Sequence, residues 1–134
     1  MIKGLTIAAS GMRAQTARLN ATASNTANVA TTQSADGSPY QAVAVELAAS
    51  GPGANGVEVV GSHRSGSPGH VTHDPRHPHA DAAGKVTHSN VSLVEEMTDL
   101  VTTQRGFEAN VQSFQALNEL ARQALEIGGR EDRS

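Results

Sequence analysis

Both ends of the chain carry an apolar residue every three or four positions, the pattern of an amphipathic helix with one narrow apolar stripe. The N-terminal stripe comprises Ile2, Leu5, Ala9, Met12, Thr16, Leu19, Ala23 and Thr26. The C-terminal stripe comprises Leu93, Met97, Leu100, Gln104, Phe107, Val111, Phe114, Asn118, Ala121 and Leu125. This heptad spacing predicts two long helices that pair with each other as a coiled coil.

The end of the first helix is indicated by residues of low helix propensity. Asn25, Asn28 and the pair Thr31-Thr32 disfavour a continued helix, so we expect the helix at about residues 4 to 28. Asn25 and Asn28 are interpreted as terminating the helix and forming hydrogen bonds between subunits. A plain C-terminal capping role is the alternative for both.

The second helix has clear signals at both ends. Ser92 and Glu95 form a capping box that starts it, and the pair Gly128-Gly129 predicts its end. At about 1.5 Å per residue the first helix would be roughly 36 Å long and the second about 50 Å. The C-terminal helix is therefore expected to overhang its partner.

Charge also favours pairing of the two ends. The N-terminal segment carries Lys3, Arg13 and Arg18, with no acidic residue before Asp36. The C-terminal segment carries an excess of acids, namely Glu95, Glu96, Asp99, Glu108, Glu119 and Glu126 against Arg105 and Arg122. Opposite charges would steer the two helices together.

The apolar content predicts a thin core and further helix partners. The aromatic residues are Tyr40, Phe107 and Phe114, and much of the apolar count is alanine, which contributes little free energy on burial. More apolar residues flank the C-terminal stripe, namely Val94, Val101, Leu117, Leu120 and Ala124. Apolar surface of this kind marks an interface. We expect the terminal helices to be partly disordered until assembly, because ordering them alone buries too little area.

The middle of the chain, about residues 33–90, is rich in Gly, Pro, Ser and His. Alternating apolar residues at 43–47 and 57–59 flank a turn-rich stretch at 50–56, which predicts a β-hairpin. Val86 after Gly84 predicts the start of a third strand, whereas 61–83 shows no periodicity. The chain thus divides into an N-terminal helix (1–32), a β-containing middle (33–90), a C-terminal helix (91–129) and a polar tail (130–134). The fold class is α+β.

Several functional classes are disfavoured by composition. The net charge is −3 without any Lys/Arg cluster, so we expect no nucleic-acid partner. The absence of cysteine excludes disulfides and thiolate chemistry. The first residues lack the apolar core of a cleavable signal peptide, and no apolar run approaches the roughly 20 residues of a membrane-spanning helix. No nucleophile elbow or phosphate-binding loop occurs, so we expect no enzyme and no cofactor.

The six histidines are the one chemically suggestive cluster. His73, His77 and His79 are close enough in sequence to suggest a zinc site. Two prolines interrupt them, and their spacing lacks the helical geometry that puts two imidazoles on one face. A solvated or interface loop is therefore the preferred interpretation. The alternative function is a small metal- or ligand-binding module that uses this loop.

Two stretches resemble the bacterial flagellar rod and hook proteins. The first runs from Ala8 to Thr32 and contains the element Ser24-Asn25-Thr26-Ala27-Asn28. Within that family, residues 77–86 and 90–97, with Phe107-Glu108-Ala109-Asn110-Val111, resemble subunits of the proximal rod. The middle segment departs from the family, because Gln41-Ala42-Val43-Ala44 stands where basic residues are common.

This resemblance implies a structural subunit and not an enzyme. Paired terminal helices would form an inner layer, and subunits would leave the cell unfolded through the flagellar type III export gate. They would then stack helically with copies and with other rod proteins, and transmit motor torque. Whether the histidine-rich loop contacts peptidoglycan, another rod protein or solvent is left open. The expected assembly interface comprises Leu5, Met12, Leu19, Asn25, Asn28, Leu93, Met97, Leu100, Phe107, Val111, Phe114 and Leu125.

Overall fold

The structure, a computed structural model, describes residues 2–51, 53 and 55–131. In chain order its elements are α1 (Ile2–Ala27), β1 (Val43–Ala49), β2 (Val57–Arg64), β3 (Val71–His73), β4 (Lys85–Thr87) and α2 (Leu93–Glu131). Along the chain, two long terminal helices thus flank a small β region, which confirms the predicted α+β class. Within the described residues, no helix combines the length and the apolar character needed to cross a bilayer.

Three of the four predicted helix ends lie within two residues of their observed positions. Past the end of α1, the Asn28 amide N–H and side-chain Nδ2 both donate to the Ser24 carbonyl oxygen, at 3.1 and 2.9 Å. Helix α2 begins after Ser92, whose Oγ accepts from the Glu95 amide at 3.5 Å. The predicted stop at Gly128-Gly129 is wrong, because α2 continues to Glu131. Glycine permits the left-handed conformation that ends a helix but does not require it. Residues 132–134 of the predicted tail lie outside the described residues.

Helices α1 and α2 lie side by side and antiparallel. Residues early in α1 contact residues late in α2, as Gly4 does with Leu117 and Gly11 with Asn110. At the other end of the pair, Asn25 contacts Glu96. Since α1 begins opposite about residue 119, roughly the last twelve residues of α2, about 18 Å, extend beyond it. The predicted overhang is present.

Strands β1 and β2 form the predicted antiparallel hairpin, with Val43 paired to Arg64 and Ala49 to Val57. The register shifts by one residue between Glu46 and Leu47, which leaves Val60 without a partner in a β-bulge. The hairpin lies on α1, where Ser10 Oγ accepts from the Val57 amide at 3.1 Å. Pro52 and Ala54 of the predicted turn lie outside the described residues.

A second antiparallel pair, β3 with β4, was only half predicted. Val86 is fully buried in β4, as its place in a strand implies, but β3 lies in the stretch that shows no periodicity. Asp81 organises the connection, since its Oδ1 accepts from the amides of Ala83 and Lys85, both at 2.8 Å. These bonds, that from Lys85 first, hold the pKa of the exposed Asp81 carboxyl below its ordinary value. Ser89 joins the unit to the end of α1 by donating to the Val29 carbonyl oxygen at 2.5 Å.

The core is as thin as the composition predicts. Among the described residues, the buried apolar side chains are Ala8, Ala14 and Val86. Five polar side chains are equally buried, namely Ser10, Thr22, Asn25, Ser89 and Thr103. Because alanine burial contributes little free energy, hydrogen bonds at the junctions between elements carry much of the specificity of this fold.

Candidate assembly interface

The surface between α1 and α2 is made of small and polar residues. Its α1 members recur at heptad spacing and are Gly4, Ala8, Gly11, Gln15, Arg18, Thr22 and Asn25. A Cβ on Gly11 would lie 2.7 Å from two atoms of the Asn110 side chain, and a Cβ on Gly106 would lie 2.8 Å from Gln15 Nε2. Glycine at these positions therefore lets the helices approach closely.

The two apolar stripes are consequently not the surfaces that face each other across the helix pair. Met12 follows Gly11 and Phe107 follows Gly106, so each stripe is rotated by one residue, about 100°, from the contact surface. Leu5, Met12 and Leu19 therefore lie beside the centre of the helix contact and do not form it, and their packing against the C-terminal stripe stays a prediction. Heptad spacing predicts contact through the stripe with the larger side chains, whereas close approach of the helices selects the small residues.

Both stripes nevertheless lie on one side of the pair. In antiparallel helices, a rotation of one residue in the same chain direction turns both stripes toward the same flank. The β1–β2 hairpin occupies the opposite flank, since it contacts Ser10, which precedes Gly11. We call the free flank the apolar face; it comprises Leu5, Met12, Leu19, Leu93, Met97, Leu100, Phe107, Val111 and Phe114.

Much of the apolar face is open to solvent. Met97 is 58% exposed, and Leu93 and Leu100 are 43% and 40% exposed. The α1 members and Phe107, Val111 and Phe114 are half-buried. Val94 and Val101 extend the exposed apolar area along α2, as predicted from the flanking residues. A surface of this size and composition, in a chain with a thin core, has the character of a binding site for other protein.

The overhang of α2 is also apolar and uncovered. Leu120, Leu125 and Ile127 are 55%, 77% and 67% exposed. Leu125 belongs to the predicted interface, whereas the sequence analysis did not single out Ile127. The sequence feature that indicates Ile127 is heptad spacing, since it lies three residues after Ala124 and seven after Leu120.

Asn25 connects three elements and is 3% exposed. Its Oδ1 accepts from the Val43 amide at 2.8 Å and from the Tyr40 hydroxyl at 3.1 Å. Its Nδ2 donates to the Val43 carbonyl oxygen at 3.0 Å and to Glu96 Oε1 at 2.8 Å. The side chain thus holds the start of β1 and the first turn of α2 against α1. All four hydrogen bonds join Asn25 to residues of the same chain. The predicted hydrogen bonds of Asn25 between subunits stay a prediction.

Asn90 has an analogous role that sequence reasoning missed. Its Oδ1 accepts from the Ala42 amide at 2.7 Å, and its Nδ2 donates to the carbonyl oxygens of Ser65 at 3.3 Å and Ser67 at 2.9 Å. These bonds fix the segments that precede β1 and follow β2. No sequence pattern marks Asn90 as such a junction, because it lies outside any periodic segment and its hydrogen-bond partners are distant in the chain.

One ion pair joins the two helices in the described part of the chain, between Arg18 and Asp99 at 4.0 Å. Both side chains are substantially exposed, so this pair contributes little to stability. The predicted charge complementarity therefore contributes little to holding the two helices together. Lys3 and Arg13 remain without an ion pair among the described residues.

The histidine-rich loop does not form a metal centre in the described residues, where no group of three or more His, Asp or Glu is placed to hold an ion. The His77 and His79 rings lie 5.4 Å apart. His77 Nδ1 accepts from the His79 amide at 3.1 Å, and His79 Nδ1 lies 2.8 Å from Thr32 Oγ1. These imidazoles bond to the chain itself, and the metal-binding alternative gains no support.

Comparison with known proteins decides the family. A family profile described as "Flagellar basal body rod FlgEFG protein C-terminal" matches residues 82–127. The flagellar basal-body rod protein FlgC of Escherichia coli O6:H1 is 36% identical over 125 residues, which cover 91% of this chain and 93% of that protein. The chain belongs to the FlgC family of flagellar basal-body rod proteins. Two other relatives support this assignment. The FlgC protein of Salmonella typhimurium is 35% identical over 91% of this chain and 93% of that protein. The FlgC protein of Bacillus subtilis is 34% identical over 92% of this chain and 95% of that protein.

Membership of the FlgC family confirms the resemblance drawn from the two end segments. The chain is a structural subunit of the flagellar basal-body rod. The Ser24–Asn28 element that carried the resemblance contains Asn25, the residue that joins α1, β1 and α2. What looked like a helix terminator is thus also a tertiary junction.

Proposed function

We propose that this chain is incorporated by its apolar face into the helical wall of the proximal rod, beside copies of itself and other rod subunits, and transmits motor torque there. The exposed apolar face carries the proposal. A monomer in water gains nothing from leaving Met97 and Leu100 uncovered on a fold that has so few buried apolar residues. Burying them against neighbouring helices provides the area that this chain lacks on its own.

As part of the rod, the subunit works outside the cytoplasmic membrane. We propose that it reaches the rod by type III export in an unfolded form. The thin core supports export in an unfolded form, because a chain stabilised mainly by small residues and junction hydrogen bonds has a small free energy of unfolding. The role is assembly without catalysis, and the β3–β4 unit belongs to the outer surface. Contact of its histidine-rich loop with peptidoglycan stays a prediction.

The experiment replaces one exposed apolar residue with a charged one in a strain that depends on this chain for swimming. Met97→Glu should abolish incorporation into basal bodies and swimming, since the charge would be buried in the wall. Ala109→Glu is the matched control, because Ala109 is exposed on the same helix and precedes Asn110 of the contact surface, which places it on the flank opposite the apolar face. Swimming and normal basal bodies with Met97→Glu would refute the proposal.

A further inference from the structure

The tip of the β1–β2 hairpin contains an asparagine followed by a glycine, Asn55-Gly56, directly before β2. Asn55 is exposed, and Gly56 has a positive φ of 137°. In the described part of the chain, the Asn55 side chain and the Gly56 amide make no hydrogen bond. Because glycine has no side chain to hinder an approach, the Asn55 amide group is free to react with the amide nitrogen that follows it.

This reaction is the deamidation of asparagine, which needs water but no enzyme. The Gly56 nitrogen forms a bond to Asn55 Cγ, the Cγ–Nδ2 bond breaks, and ammonia leaves with the proton of the Gly56 amide. Water then opens the cyclic imide. Addition at Cγ gives aspartate, whereas addition at the backbone carbonyl carbon gives isoaspartate, whose main chain runs through Cγ. Overall, an amide and a water molecule become a carboxylate and an ammonium ion.

A second pair that could form such an imide, Asp36-Gly37, is protected by its own hydrogen bonds. The Gly37 amide donates to the Ser34 carbonyl oxygen at 2.9 Å, which engages the attacking nitrogen. Asp36 Oδ1 accepts from the Ser38 hydroxyl at 2.7 Å and from the Ser38 amide at 3.1 Å. These bonds, the hydroxyl first, hold the pKa of the Asp36 carboxyl below its ordinary value, so little of it is in the protonated form that can lose water.

The other asparagines are restrained by hydrogen bonds or by helices, and each precedes a residue with a side chain. Three use their side chains in hydrogen bonds, namely Asn25, Asn28 and Asn90. Three lie inside helices, where the next amide is bonded to the carbonyl oxygen four residues before it, namely Asn20, Asn110 and Asn118. These six provide internal references for the reactivity of Asn55.

We propose that Asn55 is a site of spontaneous deamidation in the folded chain, and that its two products act differently on the hairpin. Gly56 packs so closely on α1 that a Cβ would overlap Ser10 Oγ, and the Val57 amide donates to the same oxygen at 3.1 Å. Isoaspartate adds a methylene group to the main chain directly before this contact, which forces the hairpin tip away from α1. Aspartate leaves the main chain unchanged, and its carboxylate enters a groove that also contains Arg13.

Peptide mapping by mass spectrometry, after incubation of the purified full chain at mildly alkaline pH, tests the site. Conversion at Asn55 should be about ten-fold faster than at the asparagines inside helices, and Asn55→Gln, whose imide ring would be one atom larger, should abolish it. Isoaspartate at Asp36 should form several-fold faster in urea than in the folded chain. Conversion at Asn55 no faster than at Asn110 or Asn118 would overturn the inference.

Hydrogen exchange at the Val57 amide tests the effect on the hairpin, with the isoaspartate form separated by chromatography. Its Val57 amide should exchange about five-fold faster than that of the parent chain, because the bond to Ser10 is lost. Asn55→Asp is the matched control and should keep the protection of the parent chain. Equal exchange in the isoaspartate form and in Asn55→Asp would overturn the proposed effect. Both measurements use the free chain, so their failure would leave the proposed rod function untouched.

Discussion

Replacing Asn25 by alanine should destabilise the fold more than any other alanine substitution in the Ser24–Asn28 element. The substitution removes two hydrogen bonds to the Val43 backbone, one from Tyr40 and one to Glu96. Neutral bonds contribute about 1 kcal/mol each and a bond to a carboxylate somewhat more. Val43 and Glu96 are half-buried, so water replaces part of the hydrogen bonding that they lose. We therefore expect the free energy of unfolding to fall by about 3 kcal/mol, which lowers Tm by roughly 10 °C.

The assay is thermal unfolding of the purified chain followed by circular dichroism. Asn28→Ala is the matched control, since among the described residues the Asn28 side chain bonds only to Ser24 and Thr31, near the end of its own helix. It should cost about 1 kcal/mol, as a lost cap does. Equal shifts in Tm for the two variants would refute the assignment of Asn25 as the junction of three elements.

Asn25→Asp separates geometry from charge at the same site. The carboxylate would stand where Nδ2 now lies 2.8 Å from Glu96 Oε1, so two like charges would meet in a half-buried site. At pH 7 we expect Asn25→Asp to be less stable than Asn25→Ala. Adding Glu96→Gln, whose amide donates to the new carboxylate, should recover most of the difference; no recovery would show that this contact is not formed.

Two further predictions concern the helix pair and the β3–β4 connection. Gly11→Val should separate α1 from α2 and cost about 1–3 kcal/mol by urea unfolding, whereas Gly128→Ala, with nothing within 4 Å, should raise stability by up to about 1 kcal/mol. The bonds from the Lys85 and Ala83 amides hold the pKa of Asp81 below its ordinary 3.8, so their stabilisation is present above that value and is lost as pH falls through the lowered pKa. Hydrogen exchange at the Lys85 amide should therefore lose protection as the pH falls below 3.8; Asp81→Asn should remove this pH dependence, and unchanged protection in the parent chain would contradict it.

The helices and the hairpin could be predicted because their signals are local and periodic. Alternation at Val43 and Val45 against Val57 and Val59 specifies a two-stranded unit without knowledge of distant residues. Strand β3 could not be predicted in this way. It has three residues, Val71–His73, too few for a period to be recognised, and it depends on pairing with β4.

The sequence-based prediction differs most from the structure in which surface of each helix faces the other, because the apolar stripes are rotated from the contact surface. Heptad reasoning assigns the most apolar stripe to the partner helix of the same chain. Here the same-chain contact uses Gly4, Gly11 and Gly106, because a close approach needs the absence of side chains. The larger residues are left on the flank, where other chains can reach them. In an assembling protein, the strongest apolar pattern need not be the intramolecular one.

The proposed assembly requires the apolar face to be open in the free chain and covered in the rod. Met97→Cys places the chain's one thiol at the centre of its exposed part, and maleimide labelling reports its accessibility. Glu58→Cys, on the exposed surface of the hairpin, provides the comparison. We predict that Cys at 97 reacts in the purified chain and is at least ten-fold protected in isolated basal bodies, relative to Cys at 58. Equal labelling of position 97 in both states would show that the apolar face is not covered in the rod.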